Sequence, residues 1–282
     1  MTYAQAIEYS KNLNKQYGRT YYFATRFFPK KIREHIYALY GFVRVADNFV
    51  DTTADLKKGG EDFVRWTQVW RNVEKGETPT LPELIAFDKT VKEIGIKQEY
   101  IDAFLDAMYA DTYKHRYENY EELVHYMYGS ATVVGLMMVQ ILGDEKKEAL
   151  PYARALGEAM QLSNFLRDIR EDYEIYGRIY IPREDLECYT VTEDDIRNHN
   201  VSDSFKALMR FEIARNRKLY EYAEQGYQYL PKRMRFAVAV AALLCKEVLT
   251  EIEKADYDIF SKRHSVSTGK KILLTLKIAL RI

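Results

Sequence analysis

The sequence predicts an all-α protein, and three of its features lead to that prediction. Only 13 glycines and 6 prolines occur in 282 residues, so the chain has few of the residues that form turns. Between these breaks, apolar residues recur at helical spacing in runs of about 12–25 residues, which are too long for strands. No run alternates apolar and polar residues beside an Asn-Gly or Asp-Gly turn, as the strands of a hairpin do.

We expect eight to ten helices in a single domain that spans residues 1–282. Pro29 is placed to begin a helix over Lys30–Asp51, because proline is favoured in the first turn. The other clear helical runs are Ile101–His115, Tyr120–Leu142, Tyr152–Tyr176, Ser204–Tyr229 and Lys232–Tyr257. The chain contains no Pro/Ser-rich linker and no internal repeat that would divide it into smaller units.

Charge and composition argue against several classes of function. Lys+Arg and Asp+Glu each number 42, and the resulting formal net charge of zero disfavours a nucleic-acid-binding protein. The two cysteines, Cys188 and Cys245, are too few for a disulfide framework and form no CxxC zinc motif. The sequence also lacks a glycine-rich phosphate loop and the GxSxG motif of α/β-hydrolases.

The sequence favours a cytoplasmic protein. Residues 1–11 lack the basic start and the apolar run of a signal peptide. The longest apolar stretches, Ala131–Gly143 and Phe236–Cys245, are shorter than the roughly 20 residues that span a bilayer. The segment 270–282 is basic and amphipathic, so we expect a last helix that packs on the protein, with peripheral membrane contact as the alternative.

Two segments place acidic residues on one face of a predicted helix. At about 100° per residue, the polar side chains of each segment fall within roughly 80° of one another and border an apolar stripe. They are Tyr40, Arg44, Asp47 and Asp51 in the first segment, and Gln161, Asn164, Asp168 and Asp172 in the second.

The four carboxylates of these stripes predict a divalent metal. A DxxxD spacing alone is weak evidence, since Asp102 and Asp106 also have it. Here, however, each acidic pair follows an arginine and adjoins an apolar face, and converging carboxylates need cations to offset their repulsion. Oxygen ligands without Cys or His favour Mg²⁺, or Mn²⁺, and Mg²⁺ is commonly shared with substrate phosphates. Such a site fits an enzyme that ionises an apolar diphosphate.

Several motifs together resemble the squalene/phytoene synthase family, over about nine tenths of the chain. The block from Gln161 to Asp172 is the most specific of them. The matching segments are Gly18-Arg19-Thr20-Tyr21-Tyr22-Phe23, Arg44-x-x-Asp47-x-x-x-Asp51, Tyr126-Met127-Tyr128-Gly129 with Val134-Gly135, Gln161-x-x-Asn164-x-x-Arg167-Asp168-x-x-Glu171-Asp172, Gly177-Arg178-Ile179-Tyr180-Ile181-Pro182, and Asp256-Tyr257-Asp258-Ile259-Phe260 with Arg263.

The resemblance implies a class I isoprenoid synthase, a helical bundle around a central cavity, that joins two prenyl diphosphates head to head. It assigns three groups of residues, and the four aspartates of the first group are also expected to be catalytic. The metal ligands are Asp47, Asp51, Asn164, Asp168 and Asp172; the diphosphate ligands are Arg19, Thr20, Arg44 and Arg167; and Tyr40, Tyr128 and Gln161 line the substrate site.

Three positions depart from the family pattern. Asn48 replaces an aspartate that often follows the first acid, and Thr132 stands where glycine is usual. Cys245 stands where many members have a tyrosine at the cavity. If Cys245 lies at the far end of the cavity, the missing ring leaves room for a longer prenyl chain.

Several alternatives remain open at the level of sequence. We favour two C20 geranylgeranyl diphosphates as substrates and phytoene as the product, with C15 farnesyl diphosphate and a C30 product as the alternative. The sequence gives no support for NADPH, so we favour proton loss as the last step. A terpene cyclase or a chain-elongating prenyltransferase fits the second block poorly. A non-catalytic prenyl-binding or assembly factor would be expected to lose acids or arginines that this chain keeps. The oligomeric state is not predicted.

Overall fold

The computed structural model describes residues 1–51, 56–143 and 146–280, and for residues 56 and 57 the backbone alone. Every regular element in these ranges is helical, which confirms the predicted all-α fold. In chain order the helices are α1 (Tyr3–Tyr17), α2 (Arg19–Thr25), α3 (Lys30–Asp51), α4 (Leu56–Glu74), α5 (Pro82–Ile94), α6 (Gln98–Ala110), α7 (Tyr120–Met127), α8 (Val133–Leu142), α9 (Leu150–Tyr176), α10 (Arg183–Cys188), α11 (Glu193–Arg197), α12 (Asp203–Glu224), α13 (Lys232–Lys254) and α14 (Thr268–Ala279).

The described helices outnumber the expected eight to ten, because short helices such as α2, α10 and α11 lie below the length at which periodicity is visible. The range Lys30–Asp51 is as predicted. The predicted helix Tyr120–Leu142 is divided by a π-helical turn over Tyr128–Thr132. The predicted Ile101–His115 is instead α6, which begins at Gln98 and ends at Ala110, where the backbone turns.

The apolar face of α3 forms one half of the core. Phe42 is fully buried and stacks on Phe87 of α5 with the ring centroids 4.0 Å apart. Trp66 and Trp70 of α4 pack around the same ring at 5.1 and 5.3 Å. These contacts fix the rotation of α3 about its axis, so the neighbouring polar stripe has a defined direction.

The long helix α9 is central to the other half and packs against α8, α12 and α13. Glycines allow its close approach to the π-helical turn. A Cβ atom at Gly157 would lie 2.9 Å from the carbonyl oxygen of Ala131, and one at Gly129 would lie 2.4 Å from that of Ala103 in α6. Larger residues at either position would push these helices apart.

Thr132, one of the three departures from the family pattern, is accommodated within this packing. Its Cα lies 3.3 Å from where a Cβ atom of Gly157 would be, and its side chain is buried. The Thr132 hydroxyl donates a hydrogen bond to Glu158 Oε1 at 3.2 Å. The extra side chain therefore has a polar partner on α9.

The end of α9 reverses the chain toward α3. Gly177 adopts φ 65°, a left-handed conformation that glycine takes at little cost, and it ends the helix. The Arg178 backbone N–H then donates to the Asp172 carbonyl at 2.9 Å. After this turn the chain runs beside residues 115–118, where the Ile179 N–H donates to the His115 carbonyl at 3.0 Å.

After α13 the chain crosses the end of α9 as a strap over residues 255–267, and α14 then packs on α13. Asp256 and Tyr257 both have positive φ angles, which turn the chain sharply out of α13. Within the described part of the chain, no helix has both the length and the apolarity that a membrane span requires.

Candidate active site

The four polar residues on α3 are all half-buried along one stripe. The Arg44 Nη1 atom donates to Asp47 Oδ2 at 2.6 Å, and its guanidinium lies over the Tyr17 ring at 4.4 Å. Burial and the nearby charge of Asp51 raise the pKa of Asp47 well above its ordinary value. The stripe is thus short of positive charge even with Arg44 in place. Asn48, beside it, is half-buried too.

On α9, two arginines hold Asp168. The Arg167 Nε atom donates to Asp168 Oδ1 at 2.7 Å, and Arg263 from the strap donates to both carboxylate oxygens at 2.9 Å. Burial alone would raise the pKa of Asp168, but these bonds and charges bring it below its ordinary value. Asn164 lies one turn earlier and donates to Gln161 Oε1 at 3.4 Å.

Asp172 has a different environment. Its carboxylate has no hydrogen-bond or ion-pair partner in residues 1–51, 56–143 and 146–280. Burial raises its pKa well above the ordinary value, and the charges of Asp168 and Asp51 raise it further. Because Asp51 belongs to α3, the two acidic stripes lie close enough for their charges to interact.

Arg178 connects the two stripes. Its buried guanidinium donates from Nη1 to Asp51 Oδ1 at 2.8 Å and from Nη2 to the carbonyl oxygens of Val50 and Asp111 at 2.9 and 3.0 Å. The turn at Gly177 delivers this side chain from the end of α9 to the end of α3. Arg178 therefore fixes Asp51 relative to Asp172.

A stack of aromatic rings lies beside Arg178, whose Nη1 atom is 3.5 Å from the Tyr180 hydroxyl. Tyr180 stacks on Phe165 of α9 with centroids 3.9 Å apart and planes 11° apart, and it also packs on Tyr126. The Tyr126 hydroxyl donates to Asp111 Oδ2 at 2.8 Å. Burial raises the pKa of Asp111 to about 7, although Arg178 and the Tyr126 hydrogen bond oppose the shift.

The start of α2 brings further positive charge close to α14. Arg19 is exposed and Thr20 is half-buried. Desolvation and the neighbouring charge of Arg19 lower the pKa of Lys271 on α14, so these two cations lie near each other. Neither side chain has an acidic partner among the residues that the structure describes.

Tyr40 and Tyr128 occupy separate parts of this region. A Cβ atom at Gly18 would lie 2.6 Å from the Tyr40 hydroxyl, so Tyr40 sits against the junction of α1 and α2. Tyr128 is half-buried at the start of the π-helical turn, with the Arg154 guanidinium 5.8 Å from its ring centroid.

Cys245 is buried beside the second acidic stripe. Burial raises the pKa of its thiol to about 11, while the Tyr21 hydroxyl and the Arg167 guanidinium oppose the shift. Burial also raises the pKa of Tyr21, whose polar neighbours include Asn164 and Arg167. The expectation that Cys245 makes room for a longer prenyl chain therefore stays a prediction.

Comparison with known proteins identifies the family. Residues 14–270 match the model of the family described as squalene/phytoene synthase. The chain belongs to the squalene/phytoene synthase family. It is 32% identical to the phytoene synthase of Arthrospira platensis, over 96% of this chain and 92% of the relative, and 34% identical to the 15-cis-phytoene synthase of Synechocystis sp., over 95% and 83%.

Solved structures agree with this membership. A dehydrosqualene synthase crystallised with a ligand superposes with a TM-score of 0.90 at 27% identity, covering 99% of this chain and 97% of that one. The squalene synthase HpnC from Alicyclobacillus acidocaldarius has a TM-score of 0.79 at 26% identity, covering 91% and 96%. The fold is thus that of the class I isoprenoid synthases, and this family member is a prenyltransferase.

The donor set fits a magnesium ion that is shared with substrate. No three Asp, Glu, His or Cys side chains within the described ranges converge as a complete metal cage. Mg²⁺ needs no such cage, because one or two carboxylates together with phosphate oxygens commonly suffice. The unpartnered Asp172 carboxylate, next to Asp168 and facing Asp51, offers oxygen ligands of the required kind.

Four residues at this site were not among those predicted: Asp111, Arg178, Arg263 and Lys271. Arg178 and Arg263 occur in matched motifs, so the sequence signalled their positions without their contacts. Asp111 has no such signal, since its partners are 15 and 67 residues away along the chain. Lys271 belongs to a segment whose pattern indicates packing or membrane contact.

Proposed function

We propose that this enzyme condenses two prenyl diphosphates head to head, in a Mg²⁺-dependent reaction that converts geranylgeranyl diphosphate to phytoene through a cyclopropyl diphosphate intermediate. The observation that carries the proposal is the pair of facing acidic stripes on α3 and α9. One carboxylate between them, that of Asp172, has no partner in the part of the chain that the structure describes.

In this proposal, five side chains hold the metal: Asp47, Asp51, Asn164, Asp168 and Asp172. Mg²⁺, or Mn²⁺ on the same oxygen ligands, supplies the positive charge that a leaving diphosphate requires. The separation of the acids onto two helices suits a substrate whose phosphates lie between them. Arg178 keeps Asp51 in place through its three buried hydrogen bonds.

Basic side chains bind the diphosphates. Arg44 and Arg167 each lie next to an acid of the stripes, and hydrogen bonds between guanidinium and phosphate are strong and often bidentate. Arg19, with the Thr20 hydroxyl, approaches from α2. Lys271 adds a cation close to Arg19 and has no acidic partner among the described side chains.

The remaining lining residues orient the prenyl chains and keep water away. Tyr40, Tyr128 and Gln161 present polar groups at the rim, while aromatic faces stabilise the allylic cation left when diphosphate departs. Attack by the double bond of the second substrate gives the cyclopropyl diphosphate, with loss of a proton. Departure of the second diphosphate, rearrangement and loss of another proton complete the C40 hydrocarbon.

The named relatives support the C20 substrate. Two relatives that this chain matches almost end to end at 32–34% identity carry the name phytoene synthase. The dehydrosqualene synthase structure, with its TM-score of 0.90, favours a C15 substrate as the second candidate. We also propose that one domain spans residues 1–282 and works in the cytoplasm, in peripheral contact with the membrane that takes up the product.

A product assay tests the proposal. The purified enzyme is incubated with Mg²⁺ and either geranylgeranyl or farnesyl diphosphate, with and without NADPH, and the hydrocarbons are analysed by mass spectrometry. We expect phytoene from the C20 substrate, unchanged by NADPH. Dehydrosqualene alone would establish the second candidate, and no hydrocarbon from either substrate would contradict the proposal.

A further inference from the structure

Helix α14 has apolar side chains on two opposite faces. Leu274 and Ile278 are buried against the protein. Four other large apolar side chains, three on the helix and one on the residue directly after it, point outward and are at least half-exposed: Ile272 at 51%, Leu273 at 55%, Leu276 at 58% and Leu280 at 90%. A surface helix in water normally carries polar residues on its outer face.

The four exposed side chains form a continuous stripe. At about 100° per residue they fall within roughly 100° of one another, and the buried pair lies on the opposite side of the helix. This is a contiguous apolar surface of the kind that marks a binding site on an otherwise soluble protein.

Positive charge surrounds this stripe. Residues 259–282 contain six Lys or Arg and no Asp or Glu. Lys277 projects from α14 beside the apolar stripe, and Lys232 and Arg233 are exposed in the first turn of α13, against which α14 packs. None of these three cations has an ion-pair or hydrogen-bond partner in the ranges that the structure describes.

A groove of about 400 Å³ separates the two helices at this point and is lined by Lys232, Arg233, Phe236 and Ala279. The Phe236 ring packs edge-on against Phe27 at 5.3 Å. Phe27 lies two residues after the end of α2, the helix that carries Arg19 and Thr20, so the basic apolar surface adjoins the substrate side of the enzyme.

We propose that the outer face of α14, together with Lys232 and Arg233, docks on an anionic phospholipid bilayer. The apolar stripe enters the boundary between headgroups and acyl chains, and the three unpaired cations contact lipid phosphates. A bilayer explains both features at once, whereas a purely apolar partner leaves the cations unneutralised. The proposal deepens the proposed function, since a prenyl hydrocarbon leaves the enzyme most readily into lipid.

Vesicle co-sedimentation of the full chain tests this surface. Binding is measured to vesicles of pure phosphatidylcholine and to vesicles in which a quarter of the lipid is phosphatidylglycerol. One variant combines Leu273→Gln with Leu276→Gln, and a second combines Lys232→Gln, Arg233→Gln and Lys277→Gln. The matched control, Val64→Gln with Val69→Gln, removes two exposed apolar side chains from α4, which are 50% and 38% exposed.

We expect the wild type and the control to bind the anionic vesicles preferentially, and added salt to weaken that binding. Each leucine substitution should lower the partition constant about tenfold. The triple charge variant should lose on the order of 100-fold on anionic vesicles and little on neutral ones. Equal binding by the wild type and the leucine variant, or no vesicle binding at all, would overturn the proposal.

Two further measurements separate the remaining explanations. Sedimentation velocity without lipid shows whether the stripe is covered by a second copy of the chain. A dimer that the leucine variant dissociates, with no vesicle binding by the wild type, would assign the surface to self-association and overturn the proposal. Hydrocarbon formation in detergent reports the proposed function separately, and the leucine variant should keep wild-type turnover there.

Discussion

Replacing Arg178 by alanine should destabilise the protein strongly, although the residue is not assigned to substrate. The guanidinium is 3% exposed and bonds to one carboxylate and two carbonyl oxygens, which the substitution leaves without their donor. Breaking a buried ion pair by removing one partner costs about 3–5 kcal/mol. At about 2 cal/mol/K of unfolding entropy per residue, this corresponds to a fall in Tm of roughly 5–8 °C.

A nearby arginine offers a matched control. Arg183 pairs with Glu187 at 2.9 Å, but both side chains are about two-thirds exposed, so Arg183→Ala should cost no more than about 1 kcal/mol. Arg178→Lys should recover little of the lost stability, because one ammonium group cannot reach all three acceptors that the planar guanidinium contacts. Thermal and urea unfolding of the three variants provide the comparison. If Arg178→Ala loses no more stability than Arg183→Ala, the anchoring role assigned to Arg178 is wrong.

Three other substitutions have defined outcomes. Burial raises the pKa of Glu212, which shares Arg215 with Asp185, to about 8. Between about pH 4.5 and 8, the folded state therefore holds a proton that the unfolded state has released. The stabilisation from this proton is complete below about pH 4.5 and is lost as the pH rises to 8. Glu212→Gln should flatten the fall in Tm between pH 5 and 8, and an unchanged fall would contradict the assignment. Arg44→Ala should weaken the apparent affinity for prenyl diphosphate about ten- to hundredfold, because a charge-assisted bond contributes about 1.5–3 kcal/mol; unchanged affinity would show that Arg44 does not contact the diphosphate. Cys245→Tyr should cost about 1–3 kcal/mol through overpacking, because the thiol is buried, whereas a lowered C20/C15 preference without destabilisation would show that this side chain faces the substrate cavity.

Features set within one helix could be predicted from the sequence. The range and the polar stripe of Lys30–Asp51 follow from a proline at its start and from apolar residues at helical spacing. The same reasoning placed Asn164, Asp168 and Asp172 on a common face of α9. The break at Tyr128–Thr132 could not be predicted, because it accompanies a close approach to α6 that the local pattern does not contain.

Contacts between distant segments could not be predicted from the sequence pattern. Arg178 and Asp51 are 127 residues apart, and Arg263 and Asp168 are 95 apart. Only the fold brings each pair together, so the sequence indicated the acids but not the arginines that hold them. The neighbours of Cys245 could not be predicted for the same reason, since they depend on how α13 packs against α2 and α9.

The central claim is that the facing acidic stripes ionise a prenyl diphosphate with Mg²⁺. The most direct measurement is Mg²⁺-dependent release of diphosphate from geranylgeranyl diphosphate by the wild type, Asp47→Asn and Asp168→Asn. Asp194→Asn is the control, because this acid is 70% exposed on α11. We predict that the wild type and the control release diphosphate and that a chelator abolishes this release. Both stripe variants should fold but release diphosphate at least about a hundredfold more slowly. Wild-type release by either stripe variant, with normal Mg²⁺ dependence, would contradict the claim.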